Sequence, residues 1–144
     1  MEAQNIIDAF AEVPENLKLQ LLLEYANELP ELPDRFGDTT ELFERVEECQ
    51  SPVFLFVEVV DSQVSVYLTA PKEAPTTRGF ASILQKALTD LGTEDVLAFS
   101  DSFVDALGLT SLVSPLRIQG MHGMLFRIKR QVREKSAQIG RAHV

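Results

Sequence analysis

Residues 53–69, VFLFVEVVDSQVSVYLT, constrain the fold of this chain more than any other stretch. Val53–Val60 and Val64–Thr69 are rich in β-branched and aromatic residues, and the polar step Asp61-Ser62-Gln63 between them signals a hairpin. In the second segment Val64, Val66 and Leu68 alternate with Ser65, Tyr67 and Thr69. One face of the sheet is therefore predicted to be buried and the other to be half polar. The two strand patterns are contiguous and do not alternate with helices. That arrangement predicts an α+β fold, a small antiparallel sheet of two to three strands with helices packed on it.

The flanking segments read as helices. Asn5 is placed to cap a first one, Ile6 to about Val13, which Pro14 ends. Glu15–Glu28 carries the stripe Leu17, Leu21, Leu22, Tyr25 and Ala26. Pro30 and Pro33 break the pattern, and Glu41–Glu48 suits either a short strand or one helical turn. Beyond the hairpin, Thr76 or Thr77 is placed to cap a helix to about Leu91, with Phe80, Ile83, Leu84, Ala87 and Leu88 on one side and Gly92 as its stop. Short helices follow at TEDVLAF and DSFVDAL, the latter ended by Gly108. Ser114-Pro115, an N-cap followed by proline at the first helical position, opens the last helix. The 144 residues suit one domain, 1–144, with residues from about 135 onward expected to fray.

Charge narrows the function classes. The net charge is −9, with 13 acidic and 3 basic residues in 1–48 against one and seven in 115–144. An acidic body argues against nucleic-acid binding. The cations Arg127, Lys129, Arg130, Arg133 and Lys135 are expected to complement the last helix's dipole and solubilise its outer face. No apolar run is long enough for a membrane span, and the acidic N-terminus does not resemble a secretory signal. With a single cysteine, a reducing cytoplasmic setting is expected.

That cysteine, Cys49, follows Glu47-Glu48 and precedes the first strand. It can form no internal disulfide, so any chemistry it performs is that of one thiol, and a small buried hydrophobe is the alternative. His122 and His143 are the only histidines, too sparse for a metal site. A Cys49–His122 nucleophile pair is conceivable, without an accompanying oxyanion motif. No phosphate-binding glycine loop is present. Gly120 and Gly123, inside a helical pattern, imply close approach of the last helix to another backbone.

Four motifs in order around Cys49 resemble the SufE family of sulfur acceptors. They are Leu29-Pro30-Glu31-Leu32-Pro33; Val46-Glu47-Glu48-Cys49-Gln50-Ser51-Pro52-Val53-Phe54; Arg78-Gly79-Phe80; and Val113-Ser114-Pro115-Leu116-Arg117-Ile118-Gln119-Gly120-Met121. The family's glycine before the cysteine is Glu48 here, its tryptophan is Phe54, and an aspartate–serine pair after the second strand is replaced by Pro71-Lys72. The resemblance spans about Ile6 to Val132 and implies a fold similar to the IscU-type scaffold. It implies that Cys49 carries persulfide sulfur taken from a cysteine desulfurase, and that the protein stimulates this partner. By the same resemblance the cofactor, pyridoxal phosphate, is expected to belong to the desulfurase, with none held by this chain. The resemblance further implies that an iron–sulfur assembly scaffold receives the sulfur. Glu48, Gln50, Ser51, Arg78, Gly79 and Arg117 are the residues so implied for partner contact or thiolate support.

Only a thiolate attacks well, and neighbouring Glu47 and Glu48 disfavour it. Arg78 or Arg117, at helix starts, or a group on the desulfurase is therefore the expected activator. A persulfide also needs shelter, and Val53–Val57 with Phe80 are the expected lining of a resting pocket. A scaffold or regulatory module for a desulfurase, with Cys49 purely structural, is the alternative function. A stand-alone thiol enzyme is a third.

Overall fold

The computed structural model of the chain describes residues 2–37 and 41–142, with side chains to Ala137 in the last helix; His143 lies outside the described residues. The helices are α1 (Glu2–Glu12), α2 (Lys18–Ala26), α3 (Pro75–Leu88), α4 (Thr93–Leu97), α5 (Phe103–Ala106) and α6 (Pro115–Ala142). The strands are β1 (Glu44–Arg45), β2 (Phe54–Val60) and β3 (Gln63–Thr69), antiparallel in the order β1-β2-β3. This is the expected α+β architecture, and the ambiguous Glu41–Glu48 segment supplies a two-residue strand.

Alternation sets the register. Leu55 pairs with Leu68, Val57 with Val66 and Val59 with Val64, so the apolar side chains of both strands share one face. Leu55, Val57, Val64, Val66 and Leu68 are buried there, together with Phe80, Ile83, Leu84 and Leu88 of α3 and Met121, Met124, Leu125 and Ile128 of α6. The hairpin turn is Asp61-Ser62 alone, because both residues take positive φ, 52° and 63°. Two successive left-handed residues match the twist of the strands, so Gln63 joins β3 instead of the turn.

The opposite face of the sheet is less polar than alternation suggests. Phe36, from a 3-10 turn over Asp34–Phe36, packs edge-on against Phe43, Phe56 and Tyr67. Arg35 lies over the Phe36 ring and donates from Nη1 to Glu58 at 2.8 Å. Aromatic packing on this face comes from residues far from the hairpin in sequence, so periodicity within the hairpin could not show it.

β1 starts opposite Leu55 and ends opposite Phe54, so among the described residues the β2 edge beyond Leu55 has no strand partner on that side. Side chains of α6 cover it. Val57 N–H donates to Gln131 Oε1 at 2.9 Å, and Lys135 Nζ donates to the Val57 carbonyl. An open strand edge is a site for unwanted pairing, and here a helix closes it.

Several helix ends differ from expectation. α1 starts at Glu2, so Asn5 is interior and caps nothing. Glu15–Leu17 is a 3-10 turn before α2. α3 starts on Pro75 without a side-chain cap, since proline at the first position has no N–H to satisfy. It ends before Asp90, whose φ of 69° reverses the chain in place of Gly92. Asp90 N–H donates to the Val64 carbonyl and Val64 N–H to that of Leu91, so this segment docks on the start of β3. Gly108 does end α5 in the left-handed region, at φ 73°. Ser114 and Pro115 open α6 as expected, with Arg117 N–H donating to the Ser114 carbonyl at 3.0 Å. α6 is helical to Ala142.

Candidate functional site

The loop that presents Cys49 is closed at its base by the strands. Val46 N–H donates to the Val53 carbonyl at 2.9 Å, which pinches residues 47–52 into a short excursion. Within it Cys49 N–H donates to the Val46 carbonyl at 3.1 Å. The flanking residues Glu47 and Gln50 are exposed, yet Cys49 is only 7 % exposed. Burial comes from α6, which crosses the loop with its two glycines. A Cβ on Gly120 would stand 3.0 Å from Cys49 Sγ and 3.6 Å from the Glu48 carbonyl oxygen. A Cβ on Gly123 would stand 2.6 Å from Glu48 Cδ. Three positions apart, the two glycines share a helix face, and their low helix propensity is offset by the contact they permit.

A cavity of about 50 Å³ adjoins the thiol, lined by Gln50, Ser51, Thr77, Leu116, Arg117 and Gly120. Its lining is more polar than the expected Val53–Val57 and Phe80 wall: Val53, Leu55, Val57 and Phe80 are turned into the core, and Phe56 packs with Phe36 and Phe43 on the other face of the sheet. A larger cleft of about 520 Å³ between α2 and α3 holds Arg78 and Lys72 but does not reach Cys49. We place the candidate site at the smaller one, because it adjoins the Cys49 thiol.

Charge is organised around the loop. Arg127 Nε donates to Glu48 Oε1 at 2.8 Å, and its Nη1 donates to Glu44 Oε2 at 2.5 Å. Arg130 also pairs with Glu44, which accepts from Gln131 Nε2 at 2.9 Å. Burial first, then the Glu48 carboxylate, push the Cys49 thiol up to about 11, while Arg127 and Arg45 pull weakly the other way. Held this way the thiol is protonated and unreactive. The disfavouring influence expected of Glu48 is present; Arg127 and Arg45 are the opposing cations.

The residues expected around Cys49 divide into two groups. Glu48, Gln50, Ser51 and Arg117 lie at the loop or its cavity. Arg78 and Gly79 lie elsewhere. Arg78 donates to the carbonyls of Ala26 and Ala70 at 3.0 and 2.6 Å, fastening α3 to α2 and the end of β3. A Cβ on Gly79 would stand 2.5 Å from the Leu22 carbonyl oxygen, so that glycine permits the α2–α3 crossing. His122 faces α5, with Nε2 at 3.5 Å from Asp105 Oδ1, and does not line the thiol's cavity. Arg127, Glu44 and Gln131 were not singled out as site residues. The available hint is that Arg127 follows Gly123 by four, on the same helix face.

The basic residues of α6 do more than decorate its outer face. Arg127 and Arg130 bind acids near β1, Lys129 binds Asp101 at 3.0 Å, and Lys135 binds the β2 edge. The basic helix thus folds back onto the acidic body. No described helix is long and apolar enough to cross a membrane, and the described residues contain no cluster of metal-ligating side chains.

A small antiparallel sheet clasped by helices, with one thiol tucked under the last helix, defines a single-cysteine α+β domain. The chain belongs to the SufE family: residues 4–132 match the family described as SufE, an Fe-S metabolism associated domain. It is 51% identical over 130 residues to a SufE-like protein of Mycobacterium tuberculosis, covering 90% of each chain. It is 31% identical over 123 residues to SufE-like protein 1 of Arabidopsis thaliana, covering 85% of this chain and 32% of that longer one. The solution structure of a hypothetical protein from Thermus thermophilus superposes with a TM-score of 0.81 at 34% identity, over 94% of this chain and 96% of the other.

Proposed function

We propose that this protein is a sulfur carrier of iron–sulfur cluster assembly. It takes sulfur from a cysteine desulfurase onto Cys49, stimulates that enzyme by removing its product, and hands the sulfur to an assembly scaffold. In this reading it acts in the cytoplasm and holds no cofactor of its own. The observation that carries it is a lone thiol within the family-matched span, on a pinched loop, sheltered by glycines and beside a small cavity. In the transfer the Cys49 thiol loses its proton, and the thiolate attacks the outer sulfur of the donor persulfide. A new S–S bond forms on Cys49, the donor S–S bond breaks, and the electron pair leaves with the donor cysteine thiolate. The sulfur moves without net oxidation. Since the thiol is held near 11 in this closed position, docking must lower its pKa or move the loop.

The test is mass spectrometry after incubation with a cysteine desulfurase and cysteine. A gain of one sulfur on the Cys49 peptide is expected, and its absence overturns the reading. A second reading has its own support: near-complete burial and a raised pKa suit a structural cysteine in a regulatory module that binds a desulfurase. Cys49→Ser separates the two. The carrier reading expects loss of sulfur transfer with binding retained, whereas the module keeps its effect on the desulfurase.

A further inference from the structure

Glu48 stands where the resembled family pattern has glycine, and its φ is not in the left-handed region, so the position does not demand glycine for backbone reasons. Instead the side chain lies in the notch left by Gly123, where a Cβ would come within 2.7 Å of both its Cβ and Cγ. Its carboxylate meets Arg127 at the rim of that notch, at 2.8 Å. The two side chains are 31% and 19% exposed, enough shielding for the pair to resist full screening and enough access for a competitor to break it.

We propose that the Glu48–Arg127 ion pair, seated over Gly123, is a latch that positions the Cys49 loop and keeps the thiol in its closed, unreactive place until a competing charge breaks it. The significance of the latch rests on the reading of Cys49 as the sulfur-accepting thiol. Glu48 and Arg127 are positioning residues here, since neither meets the reacting sulfur. Arg127 is also bound to Glu44, so releasing Glu48 frees the loop without unseating α6 from the sheet. The competitor is a charged side chain of a docked protein or, in its absence, salt.

The charges facing Cys49 allow a decisive sign test. Glu48 comes from its own loop, Arg45 from β1, and Arg127 and Arg117 from α6, while α3 offers only uncharged Thr77. If Arg127 acted only through space, removing its positive charge would disfavour the thiolate and slow alkylation. If it is a latch, removing it releases the loop and speeds alkylation.

The experiment is the iodoacetamide rate against pH on the full chain without any desulfurase, so that it stands or falls separately from the sulfur-gain assay. Arg127→Gln is expected to alkylate at least about tenfold faster than the wild type at pH 8, its midpoint moving down toward an ordinary thiol near 8.5. Arg127→Lys keeps most of the slow rate, and raising salt speeds the wild type but not Arg127→Gln. A slower or unchanged rate in folded Arg127→Gln overturns the latch. If that variant fails to fold, Gly123→Ala decides: it retains both charges, fills the notch and favours the helix, and is expected to alkylate faster. An unchanged rate in Gly123→Ala likewise overturns the proposal.

Discussion

The two ends of β2 are built on different principles. At one end Asp61 and Ser62 reverse the chain in two exposed left-handed residues whose geometry is set within the turn, and Thr93 N–H adds a bond to the Ser62 carbonyl at 2.9 Å. At the other, residues 47–52 loop out between Val46 and Val53 and are held by α6, more than 70 positions later in sequence. The first end is a local solution to strand reversal. The second buries one thiol within a polar, acidic stretch that otherwise stays in contact with water, and the distant helix supplies the cover. The contrast shows why a thiol can be sheltered on a loop: the loop borrows its order from an element that is separately anchored.

The difference predicts a gradient along β2. Leu55→Ala, near the loop, removes a fully buried side chain and is expected to cost about 2–5 kcal/mol by urea denaturation. Val59→Ala, near the turn, is only half buried and is expected to cost about 1 kcal/mol. Equal losses would break the comparison. Gln131→Leu comes next. It orphans the buried Val57 N–H and takes a donor from Glu44, an expected loss of about 1–3 kcal/mol. Slower amide exchange at Val57 in this variant would contradict the edge-capping role.

At the turn, Ser62→Val forces a β-branched residue into positive φ and is expected to cost about 1–2 kcal/mol, while Ser62→Gly is neutral or stabilising. Neither is expected to alter Cys49 alkylation, which keeps the two ends independent; a changed rate would show that they communicate. The smallest effect is that of acid on the loop. The Arg127 hydrogen bond outweighs burial and holds the Glu48 carboxyl below its usual range. Its contribution is therefore complete above about pH 5 and is lost as pH falls through the carboxylate range. Urea midpoints from pH 7 to 3 are expected to fall less in Glu48→Gln than in the wild type, by about 1 kcal/mol at most for so exposed a pair. An identical slope would remove the pair from the stability of the loop.

Much of the fold was legible because the signals are short-range. The hairpin, the α3 stripe, the Gly108 stop and the Ser114-Pro115 start each depend on residues within one turn or one strand pair of each other. The misread points, Asn5, Gly92 and the caps Thr76 and Thr77, are ends where several residues offered comparable local chemistry and packing chose among them. At the site, Cys49 and its immediate neighbours were legible through motif order, and Gly120 and Gly123 announced a close approach without naming its other side. Arg78 and Gly79 sit in a recognisable motif, but they serve the α2–α3 junction. Their position in sequence could not distinguish fastening a helix from supporting a thiol.

The sequence by itself determined the strand pair, the helix faces and the single thiol available for chemistry, because alternation, amphipathic spacing and residue identity are properties of neighbours along the chain. Only the tertiary structure decided that Cys49 is buried, that Glu48 finds Arg127, and that a basic helix closes over an acidic loop. Those outcomes join residues about 80 positions apart, and which of many possible charges and glycines meet depends on how α6 crosses the sheet.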